Sequence, residues 1–232
     1  MGKRIIQQAR GKGSFTYRVR RKAFNKKVGY PSGSGEAELL KLIHSAAHSA
    51  PIAKFKLEKE IFFNVAFEGA FEGQRIAIGE GNSDTGNIIL LKDISPSTKI
   101  FNIERNPGDG GKMIRSAGSK AVLHKKLEHN KIEILMPNKK IVKLNGNCRA
   151  SIGIIAGDGR KKKPMLKAGR MFHKMKSRGK LWPRTSAVCM NAIDHPFGSG
   201  RGKRIKSKTA KRNSPPGRKV GHLSPRRTGK KK

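Results

Sequence analysis

The stretch Ala53-Lys-Phe-Lys-Leu-Glu-Lys-Glu-Ile-Phe-Phe-Asn-Val-Ala-Phe67 decides the fold class, because its apolar residues recur with a period of two. Alternation of this kind predicts two β-strands, each with one face turned to a core and the other to solvent. The residues predicted to face the core are Ala53, Phe55, Leu57, Ile61, Phe63, Val65 and Phe67.

Shorter apolar stretches continue this pattern between glycine-rich turns. Strands of this length, separated by glycine, predict small closed β-barrels, and we interpret them as two barrels in series within an all-β fold. The stretch 36–48 is ambiguous, because its apolar spacing suits a helix while a strand ending in a loop at 44–48 also fits. The further predicted strands contain Ile76 and Ile78, 88–91, 122–127, 132–135, 139–144 and 148–155.

The charge of the chain is unevenly distributed. The 232 residues contain 53 Lys and Arg against 15 Asp and Glu, a net charge of +38. Residues 1–30 hold ten cations and no acid, residues 31–159 hold 18 cations and 14 acids, and residues 160–232 hold 25 cations and one acid, Asp194. Cationic arms of this kind repel themselves, so we expect them to be disordered until they meet a polyanion. The sequence therefore predicts nucleic acid as the partner, since a small acidic ligand could not use so much charge.

The cysteines and the apolar runs indicate the compartment. Cys148 and Cys189 are widely spaced and match no metal motif, so we expect free thiols in a reducing cytosol. No signal peptide is recognisable, and no apolar run approaches the length of a membrane span. We therefore expect a soluble cytoplasmic protein with no membrane partner.

The N-terminal arm contains isolated aromatic residues among its cations, at Phe15, Tyr17, Phe24 and Tyr30. It is interpretable as a disordered tail or as an arm that orders on RNA. The aromatic residues favour the second interpretation, because they can stack on bases.

Two motifs resemble known binding sites but lack residues that those sites require. Gly108-Asp-Gly-Gly-Lys112 lacks the first glycine and the final Ser or Thr of a phosphate loop, although its backbone amides could still meet an RNA phosphate. His44 and His48 have the spacing of a helical zinc pair, but Ser45 replaces the glutamate that a metalloprotease needs. We therefore predict no metal and no cofactor.

Asp194-His195 is the one pair that suggests acid–base chemistry. No paired nucleophile accompanies it, and Pro196 with the glycines that follow predicts a fixed turn. We interpret the pair as a structural RNA contact, with His195 protonated among phosphates and acting as a donor. Trp182, the single tryptophan, is either the plug of a small core or a stacking platform.

Several blocks of the chain follow one another in the order of a known family, along essentially its whole length. They are Asn102-Ile-Glu, Pro107-Gly-Asp-Gly-Gly-Lys112, Arg115-Ser-Ala-Gly118, Asn147-Cys-Arg-Ala-Ser-Ile-Gly153, Lys167-Ala-Gly169 and Met190-Asn-Ala-Ile-Asp-His-Pro-Phe-Gly198. With these blocks the chain resembles the family of the second universal protein of the large ribosomal subunit. Met1-Gly-Lys-Arg4, Ala156-Gly-Asp-Gly-Arg160 and Gly217-Arg-Lys-Val-Gly-His222 resemble its archaeal and eukaryotic branch, and the short length favours archaeal members.

The resemblance implies an OB-fold barrel followed by an SH3-like barrel, with long basic N- and C-terminal extensions threaded into large-subunit rRNA. It implies a structural, non-enzymatic role near the peptidyl-transferase centre, in subunit assembly, subunit association and the architecture of the tRNA sites. The implied partners are large-subunit rRNA, other ribosomal proteins and the small subunit across the subunit interface. The predicted boundaries are 1–35 for the N-terminal arm, 36–100 for the OB-fold barrel, 101–160 for the SH3-like barrel and 161–232 for the C-terminal RNA-binding region.

We expect RNA contacts from the cations of the arms and loops, together with a few polar or aromatic residues of the C-terminal region. The predicted RNA-binding residues are Arg4, Arg10, Arg18, Arg20, Arg21, Lys112, Arg115, Arg149, Arg160, Lys161, Lys162, Lys167, Arg170, Lys180, Trp182, Arg184, Asn191, Asp194, His195, Arg201, Lys203, Arg204, Arg218, Lys219, Arg226 and Arg227.

The chain departs from the family pattern at two places. After His44 it reads Ser-Ala-Ala-His48, where the family usually has Asp-Pro-Gly-Arg, so the RNA contact of that arginine is not carried over. After Gly200 it reads Arg-Gly-Lys-Arg204, where close relatives have a histidine-containing run.

Two other function classes fit parts of the sequence. The first is an RNA-acting enzyme that uses His195, against which the missing nucleophile and metal cluster argue. The second is an architectural DNA-binding protein, which the charge alone would allow.

Overall fold

The computed structural model describes residues 2–24, 26–79, 81–199 and 207–225, and these divide into two compact units. The first, here called the barrel unit, contains residues 21–168. The second, here called the arm unit, contains the described parts of 1–20 and 169–232. The N-terminal and C-terminal segments thus belong to the same unit.

The barrel unit contains one ten-stranded sheet among its described residues. The strand order is β3-β2-β1-β4-β5-β10-β6-β7-β8-β9. All neighbouring strands are antiparallel except β4 and β5, which are parallel. The bounds are β1 Gly35–Ile43, β2 Ile52–Leu57, β3 Glu60–Val65, β4 Arg75–Gly79, β5 Ile88–Leu90, β6 Lys99–Phe101, β7 Ala121–Leu127, β8 Lys131–Leu135, β9 Ile141–Asn145 and β10 Arg149–Ile152.

Two hydrophobic cores lie along this sheet. The first is built mainly from β1 to β4 and includes Leu39, Phe55 and Ile76. The second is built from β5 to β10 and includes Leu123 and Ile134. The all-β prediction is confirmed, and the two cores fit an OB-fold barrel followed by an SH3-like barrel. The domain boundaries chosen from the sequence stay a prediction.

The ambiguous stretch 36–48 forms a strand followed by a loop. Strand β1 pairs with β2 on one side and with β4 on the other, and its register shifts at a bulge between Leu39 and Lys41. The helix alternative is therefore wrong. The stretch forms a strand because β2 and β4 pair with it on both sides and satisfy its backbone hydrogen bonds. Local helix propensity is too weak to outweigh this pairing.

The face assigned to the first half of β3 is also wrong. Ile61 is 50% exposed, whereas Phe62 is only 6% exposed. Phe62 pairs with Phe55 across the ladder, and the two rings stack with centroids 5.2 Å apart. The pairing register therefore turns Phe62 inward, and alternation could not choose between two adjacent phenylalanines. Val65 and Phe67 are buried, as predicted.

The arm unit has short elements connected by irregular backbone. These are α1 Ile6–Gly11, α3 Ala168–Ser177, a 3-10 turn at Ala187–Cys189, and a parallel pair of short strands, β11 Thr209–Ala210 and β12 His222–Leu223. The remaining helix, α2 Gly159–Lys162, lies in the barrel unit. The Lys3 amide donates to the Ile193 carbonyl at 2.8 Å, so the N-terminal segment contacts the turn that precedes His195. Backbone hydrogen bonds of this kind connect the described segments of the arm unit. The expectation that the arms stay disordered until they meet a polyanion stays a prediction.

Candidate nucleic-acid interface

The arm unit cannot neutralise its own charge. Its two segments carry 26 Lys and Arg and a single acid, Asp194, whereas the barrel unit carries 27 cations and 14 acids. At ordinary ionic strength, cations packed at this density repel one another unless an external anion lies among them. The arm unit is therefore the main candidate surface for a polyanion.

A groove of about 650 Å³ lies within the arm unit, between the N-terminal segment and the C-terminal turns. Lys3, Arg4 and Arg218 line it, so its rim is cationic. Apolar atoms of Ile193 and Pro215 also contribute to the walls. A groove with cations and apolar surface suits an extended phosphate chain with its attached sugars and bases.

His195 lies at this groove but is 5% exposed. Its Nδ1 accepts a hydrogen bond from the Phe197 amide at 3.1 Å, and the two rings meet edge to face with centroids 4.9 Å apart. This contact helps to hold the ring in the turn. The expectation that His195 is protonated among phosphates and donates to RNA stays a prediction.

The Asp194–His195 pair is held by a local turn of the backbone. The amides of Asp194 and His195 both donate to the Asn191 carbonyl, at 3.0 and 3.3 Å, and the Gly198 amide donates to the His195 carbonyl at 2.9 Å. This arrangement fixes the turn that Pro196 and the glycines predicted. Nothing in it activates a nucleophile, so the geometry supports a positioning role.

The predicted RNA-binding residues differ in exposure. Arg201, Lys203, Arg204, Arg226, Arg227 and the side chain of Lys161 lie outside the described residues, as does the departure from the family pattern after Gly200. Arg10, Arg115, Arg149, Trp182 and Asp194 are partly buried, which leaves both interpretations of Trp182 open. The exposed ones are Arg4, Arg18, Arg20, Arg21, Lys112, Arg160, Lys162, Lys167, Arg170, Lys180, Arg184, Asn191, Arg218 and Lys219.

Arg149 faces the interior of the barrel unit. Its Nη2 lies 3.1 Å from Oε1 of Glu104, whose side chain is fully buried. Its Nη1 donates to the Pro31 carbonyl at 2.7 Å, and its guanidinium lies over the Tyr30 ring. The structure therefore gives Arg149 a role in packing, and its predicted RNA contact stays a prediction.

Arg115 is also occupied internally. Its Nε donates to Oδ1 of Asn102 at 2.7 Å, and its Nη2 donates to the carbonyls of Val28, Gly110 and Gly111. Burial lowers the pKa of its guanidinium from the ordinary value, which still leaves it charged. Arg115 thus binds the backbone of the glycine-rich turn from the inside.

The glycine-rich turn, residues 105–112, directs its backbone amides inward. Glu104 accepts hydrogen bonds from the amides of Gly108 and Gly110 at 3.2 and 3.0 Å. Asp109 accepts from the amides of Arg105, Asn106 and Gly111 at 3.0–3.2 Å. The expectation that these amides meet an RNA phosphate is wrong, because the two carboxylates already occupy them.

A buried polar network lies next to this turn and was not predicted. The Tyr30 hydroxyl donates to the Asn102 carbonyl at 2.6 Å and lies 2.9 Å from Oγ of Ser151. Asn64 donates to Ser151 at 3.1 Å and accepts from Asn102 at 2.8 Å. Burial raises the pKa of Tyr30 above its usual range, outweighing the Ser151 hydrogen bond. Isolated polar residues within apolar strands, such as Asn64 after two phenylalanines, were the available signal.

The two histidines and the two cysteines that were considered as metal ligands do not form a metal site among the described residues. His44 and His48 follow the end of β1, so they do not share a helix face, and Nδ1 of His48 lies 2.6 Å from Oγ of Ser45. Within the described ranges, no three His, Cys, Asp or Glu side chains are grouped as metal ligands would be. Cys148 is buried, which raises its thiol pKa to about 11, and Cys189 is exposed.

In the part of the chain that the structure describes, no helix has both the length and the apolar character required to cross a membrane.

Comparison with known proteins connects this arrangement to one family. A model for the C-terminal domain of ribosomal proteins L2 matches residues 84–217. The large ribosomal subunit protein uL2 of Archaeoglobus fulgidus is 43% identical over 235 residues, with 99% of each chain covered. The proteins of the same name from Methanococcoides burtonii and Saccharolobus islandicus are 42% and 41% identical, again over at least 99% of each chain. These relatives are archaeal, in agreement with the blocks that resemble the archaeal and eukaryotic branch and with the short length, which favoured archaeal members.

Proposed function

Because the chain belongs to the uL2 family of large ribosomal subunit proteins, we propose that it binds large-subunit rRNA near the peptidyl-transferase centre. There it supports subunit assembly, subunit association and the architecture of the tRNA sites. Membership of the family makes the chain a structural ribosomal protein of the archaeal type, part of a ribonucleoprotein that acts in translation in the cytoplasm. A non-enzymatic role fits a family whose members are named as ribosomal proteins.

The observation that carries the proposal is the charge of the two segments of the arm unit, which hold 26 cations and one acid in sequence, 17 of these cations within the described residues. Each cation that meets a phosphate releases a condensed counterion, so the free energy of binding comes largely from salt release. The exposed arginines of the arm unit, such as Arg4, Arg18 and Arg218, are suited to phosphate because a planar guanidinium can donate two hydrogen bonds at once.

The barrel unit supplies a second kind of contact. Residues 31–159 carry nearly equal numbers of cations and acids, so most of the surface of this unit does not attract phosphate. Exposed cations occur instead at particular positions, among them Lys112 in the glycine-rich turn and Arg160 at α2. We therefore assign the general affinity for rRNA to the arm unit and the orientation of the protein to the barrel unit. A contact with the small subunit across the subunit interface, and contacts with other ribosomal proteins, rest on the family alone.

Competition binding tests this proposal against the DNA-binding alternative. The full chain is bound to labelled, protein-free large-subunit rRNA of Archaeoglobus fulgidus and challenged with duplex DNA at matched phosphate and salt concentrations. We expect unlabelled rRNA to displace the label at much lower phosphate concentration than duplex DNA does, because folded RNA presents splayed bases and 2′-hydroxyls that DNA lacks. Equal displacement by the two polymers would contradict the proposal and favour a non-specific polycation.

A further inference from the structure

The glycine-rich turn 105–112 has an inner side and an outer side with different chemistry. The inner side contains the backbone amides, which donate to Glu104 and Asp109, and two carbonyls, which accept from Arg115. Gly111 has φ +78°, and a side chain there would collide with Asn102, so the turn depends on glycine at this position. These amides and these two carbonyls are therefore bound within the protein.

The outer side contains exposed side chains. Arg105, Asn106 and Lys112 are exposed, as is Pro107 between them. Lys112 lies 3.8 Å from Asp109 but its side chain remains 64% exposed, whereas the Asp109 side chain is 10% exposed. Two cations and an amide thus point away from a turn whose backbone is already fixed.

We propose that this turn is a preformed contact for RNA phosphate, made by Arg105, Asn106 and Lys112, and that Glu104 and Asp109 are its positioning residues. The proposal rests on the proposed function, and it assigns the contact to side chains rather than to backbone amides. The negative charges of the two acids repel a nearby phosphate. The acids nevertheless strengthen binding, because they fix the turn that carries the cations.

Fixing the turn before binding has a thermodynamic consequence. A loop that is ordered only on binding loses backbone entropy at that moment, and this loss weakens the complex. Here hydrogen bonds to Asp109 and Glu104 order the turn in the free protein. Asp109 is the better residue to alter, because it lies in the turn itself, whereas Glu104 is fully buried and its replacement could unfold the barrel unit.

The substitution Asp109→Asn separates positioning from simple electrostatics by the sign of its effect. It removes an acid, so general attraction to RNA predicts tighter binding. An asparagine keeps one acceptor oxygen, so it cannot accept from the three amides that the two carboxylate oxygens bind. We therefore expect rRNA affinity to fall about three- to tenfold, because the turn must then be ordered on binding. Asp93→Asn, an exposed acid elsewhere in the barrel unit, is the matched control and should leave affinity equal or higher.

Lysine acetylation footprinting of the full chain locates the contact. In the wild type, protein-free large-subunit rRNA of Archaeoglobus fulgidus should protect Lys112 from acetylation. Asp109→Asn should lose that protection, and Asp93→Asn should keep it. Arg105→Gln with Lys112→Gln, which leaves the acids in place, should reduce the slope of log affinity against log salt by about 0.7–0.9 for each phosphate that the variant no longer neutralises.

The outcomes separate the two proposals. If the wild type fails to prefer rRNA over duplex DNA, the proposed function fails. If the wild type binds rRNA while Lys112 stays fully reactive, or if Asp109→Asn binds as tightly as Asp93→Asn, the turn is not a preformed contact and only this inference is overturned.

Discussion

The ion pair of Arg149 and Glu104, with Nη2 and Oε1 3.1 Å apart, connects the second half of the sheet to the glycine-rich turn. Glu104 also accepts hydrogen bonds from the amides of Gly108, Gly110 and Arg149. One fully buried carboxylate thus orients both a turn and a strand. This relationship explains why the guanidinium of Arg149 faces the protein interior, while its predicted RNA contact stays a prediction.

Removing Arg149 should destabilise the barrel unit strongly. In Arg149→Met the Glu104 carboxylate stays buried without its cation, and we expect the free energy of unfolding in urea to fall by about 3–5 kcal/mol. The control is Arg75→Met, because Arg75 pairs with Glu36 at 3.5 Å with both side chains mostly exposed. That pair should contribute less than about 1 kcal/mol. Equal losses in the two variants would show that the buried pair has no special role.

Tyr30 should make stability sensitive to alkaline pH. Its pKa is raised above the usual range by burial, while in the unfolded chain a tyrosine titrates near about pH 10. Above that pH the unfolded chain loses a proton that the folded protein keeps, so stability should fall by up to about 1.4 kcal/mol per pH unit.

Urea unfolding across this pH range checks the Tyr30 prediction. Tyr30→Phe should lose the Tyr30 share of the alkaline slope and keep the share of Cys148, whose pKa is also raised. It should also lower stability at neutral pH, because no hydroxyl then bridges Asn102 and Ser151. Tyr17→Phe is the matched control, since Tyr17 is the other tyrosine of the chain. If the slope of Tyr30→Phe matches that of the wild type, the hydroxyl is not buried as the structure shows.

Asp109 should keep the glycine-rich turn ordered in acid. Burial opposes ionisation of its carboxylate, but hydrogen bonds from three backbone amides and the nearby Lys112 outweigh this, so its pKa is lowered. A lowered pKa contributes stability above the unfolded value, and that contribution is lost as pH falls through the folded value. Hydrogen exchange at the amides of Asn106 and Gly111 should therefore stay slow below about pH 4 and accelerate only in stronger acid. Exchange that accelerates at the ordinary aspartate pKa would contradict this.

The strands could be predicted from local alternation because a strand shows its buried face in its own sequence. Alternation predicts the strand at Ile76 and Ile78, where β4 occurs, and the continuous apolar run 88–91 predicts the strand at β5. Where two neighbouring residues are equally apolar, the pairing of the strands decides which of them faces the core. Phe62 rather than Phe63 faces the core because of its partner Phe55, which no local rule could select.

The polar network could not be predicted because its members are distant in sequence. Tyr30 and Ser151 are 121 residues apart, and Asn64 and Asn102 are 38 apart. A single sequence shows that Asn64 interrupts an apolar strand but not which group satisfies it. For the same reason the sequence predicts an RNA contact for Arg115 and Arg149 but not their contacts within the protein. Their acceptors, among them Asn102 and Glu104, are brought close only by the fold.

His195 should act through position rather than through proton transfer. Its ring is 5% exposed and uses Nδ1 to accept from Phe197. We expect His195→Ala to reduce incorporation into large subunits or joining of subunits, while peptide-bond formation stays nearly normal in the particles that do assemble. Single-turnover peptidyl transfer on purified, fully assembled mutant subunits measures this. A loss of about a hundredfold, the typical contribution of a general base, would support the catalytic alternative.

Sucrose-gradient fractionation tests the central claim most directly, that this chain is an rRNA-bound structural component of the large ribosomal subunit. The tagged full chain is expressed in an archaeal host, the lysate is separated before and after a high-salt wash, and the chain is followed across the gradient. The account predicts that the chain travels with the large subunit and with 70S ribosomes and stays with the large subunit through the wash, because rRNA surrounds many of its cations at once. Release to the top of the gradient, or migration with chromosomal DNA, would contradict it.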